Sequence, residues 1–214
     1  MKLLVTGFPR FDAFPENATQ QVIESMIDDL PAKLRPLETS IVFGIVDFEN
    51  DDAKTQQRTM IERAEALMEM HHPDVCLFCG QAASRTRVEL EAIAINIFKG
   101  DLIDPDGPPA YWATFPRQKE LVEGMRAAEI PAALSYHAGT HLCNHILYTA
   151  LRGAERTGNV MRCGFLHLPM TAGQVIRADE NRPFLPLSMM RSALTLAIQH
   201  AFDHPLRRGE DTRR

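Results

Sequence analysis

Pro131-Ala-Ala-Leu-Ser-Tyr-His-Ala-Gly-Thr-His-Leu-Cys-Asn-His145 and, further along, Arg162-Cys-Gly-Phe-Leu-His-Leu168 decide the fold. Residues 131–136 form a short apolar run that ends in the small residues of Ala138-Gly-Thr, and helical spacing takes over from about His141 to Arg152. Residues 162–168 then read as a second buried strand, so this half of the chain is strand, helix, strand. Working outward, residues 2–6 predict a buried first strand, and the segment from Asn17 or Thr19 to Leu30 a helix with Val22, Met26 and Ile27 on one side. Residues 40–46 give a second strand, 51–70 a long helix with Met60, Ala64 and Leu67 at helical spacing, and 74–80 a third strand. Residues 188–202 close the chain as a helix. Strands alternating with helices favour an α/β fold, a three-layer α/β/α sandwich around a mostly parallel twisted sheet.

Residues 99–117 hold the one long proline-rich stretch, Asp104-Pro-Asp-Gly-Pro-Pro-Ala-Tyr-Trp112, a length typical of lids and binding loops. With 214 residues and 45% hydrophobic content, one sizeable core is expected, in a single domain over residues 1–203. The polar tail at 204–214 is expected to fray. Net charge is −5 and the 23 basic residues are scattered, which gives no basic face and argues against nucleic acid as a partner. The apolar start reaches Gly7 too early for a secretory segment, and nothing approaches the roughly 18 apolar residues of a membrane span. A cytoplasmic protein whose four cysteines stay reduced is therefore expected.

Cys76 and Cys79 form a CxxC pair, but in the strand-like run Val75-Cys-Leu-Phe-Cys-Gly80 a separation of three points the sulfurs to opposite faces, so both read as core thiols. Cys163, at the start of another apolar strand, reads the same way. Cys143 differs. With Thr140 as helix N-cap it falls in the first helical turn, where the helix dipole favours a thiolate and free backbone N–H groups can hold an oxyanion. A thiolate needs a base, and His167 near the C-terminal end of the next strand supplies one. Taken alone, that histidine reads as a satisfied core residue, and the pairing with Cys143 is what makes it a candidate.

At these residues the chain resembles the pyroglutamyl peptidase type I (pyrrolidone-carboxylate peptidase) family. The segment Ser135-Tyr-His-Ala-Gly-Thr-His-Leu-Cys-Asn-His145 resembles the family's nucleophile motif, and Gly164-Phe-Leu-His-Leu-Pro169 its histidine motif. Gly80-Gln-Ala82, Arg85, Glu91 and Ala94-Ile-Asn96 resemble the segment with the catalytic glutamate, and Thr6-Gly-Phe-Pro-Arg-Phe11 the substrate loop. The resemblance implies a cysteine peptidase that removes an N-terminal pyroglutamyl residue from peptides, with Cys143 as nucleophile, His167 as base and Glu91, rather than Glu89, orienting the base. It further implies Phe8, Phe11, Gln81 and Leu142 around the substrate ring, Arg85 near the oxyanion beside the Cys143 N–H, no metal or organic cofactor, and a homotetramer. A neutral flat lactam suits aromatic walls, and a charged N-terminus is excluded because burying an unpaired ammonium is costly.

The chain departs from the family pattern at Asp12-Ala-Phe14, at Ala83-Ser84, at Leu90 where proline is common, and at His141, which stands at a position that is often apolar and lines the ring pocket. These departures leave room for another small acyl or lactam substrate, or for a non-catalytic relative. His137, His141 and His145 also raise a metal site, but Gly139 and Thr140 interrupt the helix, and two ligands on one face do not close a zinc site.

Overall fold

The computed structural model describes residues 1–10, 15–47, 53–179 and 181–205. Three strands without a polar face form the centre: β1 (Leu3–Gly7), β3 (Val75–Gln81) and β8 (Arg162–Leu168). Strands buried on both faces are apolar throughout, which is why these runs were legible. With β2 (Ile41–Ile45), β4 (Val88–Glu91) and β7 (Ala132–Ser135) they build one sheet in the order β2-β1-β3-β8-β4-β7. The first four are mutually parallel; β4 runs antiparallel to β8, and β7 runs parallel to β4. The sheet is thus mainly parallel, with a reversed pair at one edge.

Helices cover both faces. On one lie α1 (Ala18–Asp28), α3 (Gln118–Ala127) and α6 (Leu187–Asp203), packed on Leu3, Val5, Leu77, Leu166 and Leu168. On the other lie α2 (Ala53–His71) and α4 (Leu142–Thr157), packed on Leu4, Phe78 and Phe165. Met60, Ala64 and Leu67 are buried as their spacing requires. A large apolar side chain taken fully out of water contributes about 1.5–3 kcal/mol, so each face is well supplied. The short helix α5 (Ala172–Ala178) follows β9 (Met170–Thr171), which pairs with β10 (Phe184–Leu185).

Several boundaries differ from the sequence reading. Ile27 is exposed, because the buried stripe of α1 runs through Thr19, Val22, Ile23 and Met26. Helix α4 continues past Arg152, carries Leu151 and Ala154 into the core, and stops at Gly158 in the left-handed conformation (φ 64°). The proline-rich stretch is not a free loop. Residues of β6 (Ala110–Trp112) pair antiparallel with β5 (Ile93–Ile95), Arg152 Nε bonds Asp104 Oδ2 at 2.8 Å, and the Tyr148 hydroxyl donates to Pro108 O at 2.8 Å. Phe11 and the Asp12-Ala-Phe14 departure lie outside the described residues, as does the tail from residue 206.

Candidate active site

The turn after β7 delivers Cys143 to the sheet. Gly139 takes φ 85°, a conformation that favours glycine, and His141 is extended (φ −115°) before α4 begins. The N-cap is therefore His141 rather than Thr140, and it offers no side-chain cap. Cys143 still lies in the first turn. The first bond inside the helix is from His145 N–H to His141 O at 3.0 Å, so the N–H groups of residues 142–144 precede the ladder and face outward from the helix end. Asn144 is buried and locks this turn: its Oδ1 accepts from Ile95 N–H at 2.8 Å, and its Nδ2 donates to the carbonyls of Ile95 and Ile97 at 2.8 and 2.9 Å.

Cys143, half-buried, sits over Gly80 of β3. A β-carbon at Gly80 would meet Phe165 Cζ at 2.6 Å and Cys143 Sγ at 3.0 Å, so only glycine lets the sulfur come this close to the strand. Gly80 is paired in register with His167 of β8. The two strands thus bring the thiol and the imidazole to the same place.

His167 is 4% exposed and Glu91 0%. Its Nδ1 lies 2.7 Å from Glu91 Oε1, which leaves Nε2 for Cys143. Burial alone would lower the imidazole pKa, but negative charge and hydrogen bonding at Cys143, then Glu91, raise it to about 9. Burial alone would likewise raise the Glu91 carboxyl. The hydrogen bond and charge of His167, the Ser135 hydroxyl and Arg85 outweigh it and hold the carboxyl below its ordinary value.

Arg85, which the resemblance places near the oxyanion, has Nη2 3.1 Å from Glu91 Oε1 and 3.0 Å from His137 O, and its Nη1 contacts Glu89. Of the two glutamates on β4, Glu91 meets His167, while Glu89 pairs with Arg85 and with Arg87 Nε at 2.9 Å. Phe8 is buried with its ring 6.4 Å from that of Phe165, which is 4.8 Å from His167. Leu142 is buried, His141 exposed. Gln81 is half-buried at the end of β3, its Oε1 accepting from Ala18 N–H at 2.7 Å and Gln174 Nε2 at 2.9 Å.

The remaining thiols lie in the two apolar layers on opposite faces of the sheet, Cys79 in one and Cys76 with Cys163 in the other. Burial pushes Cys79 up to about 12, and burial with the neighbouring Cys163 pushes Cys76 up as well. His145 stacks against Phe98 with ring centres 4.8 Å apart, and His137 Nδ1 accepts from Gly139 N–H at 2.9 Å. Among the described residues no three His, Cys, Asp or Glu side chains are grouped to hold a metal ion. Three residues that shape the site carry no signal in periodicity: Gly80, Asn144 and Gln174. Gly80 and Asn144 lie inside motifs quoted above, and Gln174 is marked only by the capping box Thr171-x-x-Gln174.

Comparison with known proteins identifies the family. The pyroglutamyl peptidase family model matches residues 1–204. Pyrrolidone-carboxylate peptidase 1 of Caldanaerobacter subterraneus subsp. tengcongensis is 32% identical, covering 93% of this chain and 97% of that protein. The enzyme of Treponema denticola is 34% identical, covering 93% and 92%. Among solved structures, pyroglutamyl peptidase I of Bacillus amyloliquefaciens superposes with TM-score 0.78 at 29% identity, covering 95% of this chain and 97% of that one. A mutant pyrrolidone carboxyl peptidase from Pyrococcus furiosus gives 0.79 at 25% identity, covering 96% and 100%. The chain belongs to the pyroglutamyl peptidase family and is a cysteine-type hydrolase.

Proposed function

We propose that the protein removes N-terminal pyroglutamate from peptides, with Cys143 as nucleophile, His167 as base and then acid, and Glu91 as the carboxylate that fixes the imidazole. The observation that carries this is the buried His167, bonded through Nδ1 to Glu91 and raised to about 9 first of all by Cys143. The sulfur attacks the carbonyl that follows the lactam, and the oxyanion forms beside the backbone N–H groups at the start of α4. His167 delivers its proton to the departing amine, and water then hydrolyses the thioester. Glu91 accepts the Nδ1–H throughout, which keeps the other ring nitrogen directed at the sulfur. The family resemblance assigns Phe8, Phe11, Leu142, His141 and Gln81 to the lactam and Arg85 to the oxyanion side, and Arg85 also anchors Glu91, a role supported by its ion pair at 3.1 Å.

Residues 1–203 act as one peptidase domain, followed by the tail at 204–214; the family match over residues 1–204 supports this extent. The working form is a cytoplasmic homotetramer. Exposed Trp112 and Tyr136, in edge-to-face contact at 6.4 Å, offer apolar surface for subunit contact, and no helix among the described residues is long and apolar enough to cross a membrane. Release of amine from a pyroglutamyl arylamide under reducing conditions, with a prolyl arylamide as control, tests the activity. Cleavage of the first alone is expected; a folded protein that cleaves neither would move the substrate to another acyl or lactam group or leave a silent relative.

A further inference from the structure

Glu89 and Glu91 are two residues apart on β4, and Leu90 between them belongs to the core layer on the far side of the sheet, so both carboxylates point to the face of Phe165 and α4. In register Glu89 stands directly opposite His167, a relation that sets β-carbons about 4.5–5.5 Å apart. Glu89 is 9% exposed, so it is a second buried carboxylate beside the catalytic pair, and no step of the hydrolysis uses it. Each of its oxygens meets one cation: Arg87 Nε lies 2.9 Å from Oε1, and Arg85 Nη1 contacts Oε2. Arg85 is shared. Its Nη2 lies 3.1 Å from Glu91 Oε1 and donates to His137 O at 3.0 Å, in the turn that leads to Cys143. Glu91 Oε1 is the oxygen that meets His167 Nδ1, so a swing of this guanidinium acts on the bond that orients the base.

We infer that Glu89 is a positioning residue of the catalytic centre that acts through Arg85: it fixes the guanidinium that holds Glu91 against His167 and ties β4 to the turn before Cys143. This rests on the reading of Cys143, His167 and Glu91 as the centre of a pyroglutamyl peptidase. The planar fork of an arginine meets acceptors on several sides in one orientation only, so a fixed partner on Nη1 fixes what Nη2 can reach. The Arg85 and Glu89 side chains are 20% and 11% exposed, which sets their contact apart from a solvent-screened surface bridge. Buried ion pairs seldom add net stability over apolar packing, so the contribution of this one is geometry. Exposed Arg87 compensates charge on the other oxygen of Glu89 and is not part of the path to Glu91.

A double-mutant cycle on a pyroglutamyl arylamide separates positioning from plain folding. Glu89→Gln keeps the shape, removes the charge and turns one acceptor into a donor. Its kcat is expected to fall about tenfold, short of the roughly 100-fold that a displacement of about 1 Å can cause, with KM within about twofold of wild type. In an Arg85→Gln background the same substitution is expected to lower kcat no further, because the residue it acts through is gone. Arg87→Gln, which removes the other cation, is expected to keep kcat within about twofold. Should Glu89→Gln fail to fold, Glu89→Asp, which keeps the charge but draws it back by one methylene, goes through the same cycle with a smaller fall expected, again absent beside Arg85→Gln. An unchanged kcat in the folded single variant, a fall that persists undiminished without Arg85, or an equal fall in Arg87→Gln overturns the inference, while wild-type cleavage leaves the functional reading standing. Absence of cleavage by the wild type removes both.

Discussion

His167 Nδ1 and Glu91 Oε1 are held 2.7 Å apart by neighbouring strands that run in opposite directions. The register sets Glu91 opposite Phe165 and Glu89 opposite His167, so the carboxylate reaches the imidazole along the diagonal of the ladder. Side chains at i and j±2 on one face are close enough for such contacts when they are long. The orientation of the base is therefore built into strand pairing.

Replacing Glu91 by Gln keeps the shape but presents an amide to Nδ1 and removes the buried charge. A fall in kcat of about 10²- to 10⁴-fold is expected, as for the loss of the orienting carboxylate in other triads. Steady-state kinetics on the pyroglutamyl arylamide checks it; a variant within threefold of wild type would remove Glu91 from the mechanism.

The raised pKa of His167 has a consequence for stability. A group held at about 9 in the folded chain, against 6.5 ordinarily, stabilises fully below pH 6.5, and that contribution is lost as pH rises through about 9. Urea denaturation is expected to show stability declining between these values in the wild type and a flatter profile in His167→Gln. Because Cys143 is the first of the influences that raise the imidazole, Cys143→Ala is expected to shift its NMR titration midpoint below about 9. An unmoved midpoint would separate the two side chains.

Gly80→Ala places a methyl group 2.6 Å from Phe165 Cζ and 3.0 Å from Cys143 Sγ. Overpacking of this kind costs about 1–3 kcal/mol, and displacing the sulfur by even about 1 Å is expected to lower kcat on the order of 100-fold. Thermal melting and kcat measured together check it. Normal activity would mean that the sulfur need not approach this strand.

Asn144→Ala leaves Ile95 N–H and the carbonyls of Ile95 and Ile97 without their partner. Since each buried unsatisfied group costs about 1–3 kcal/mol before relaxation, a loss of about 2–4 kcal/mol in urea unfolding is expected. A change below about 0.5 kcal/mol would mean that water replaces all three bonds.

Strands buried on both faces were legible because they are mostly apolar; His167 was legible as a polar residue near the end of such a strand, and Cys143 as a thiol at a helix start. β4 was not read as a sheet strand. Its Val88-Glu-Leu-Glu91 looks like a solvated segment, and its two carboxylates are buried only because Arg85, Arg87 and His167 compensate them from residues whose approach the sequence does not announce. Helix α3 escaped because Leu121, Val122 and Met125 are its only buried residues. The Gln81–Gln174 contact joins positions far apart in the chain, and periodicity carries no information about it.

The most direct measurement is covalent labelling with a pyroglutamyl chloromethyl ketone, followed by peptide mapping and residual activity. One label per chain on Cys143, with inactivation in step, is expected, and buried Cys76, Cys79 and Cys163 should stay unmodified. Label on another cysteine, or full activity after Cys143 is completely modified, would contradict Cys143 as the nucleophile.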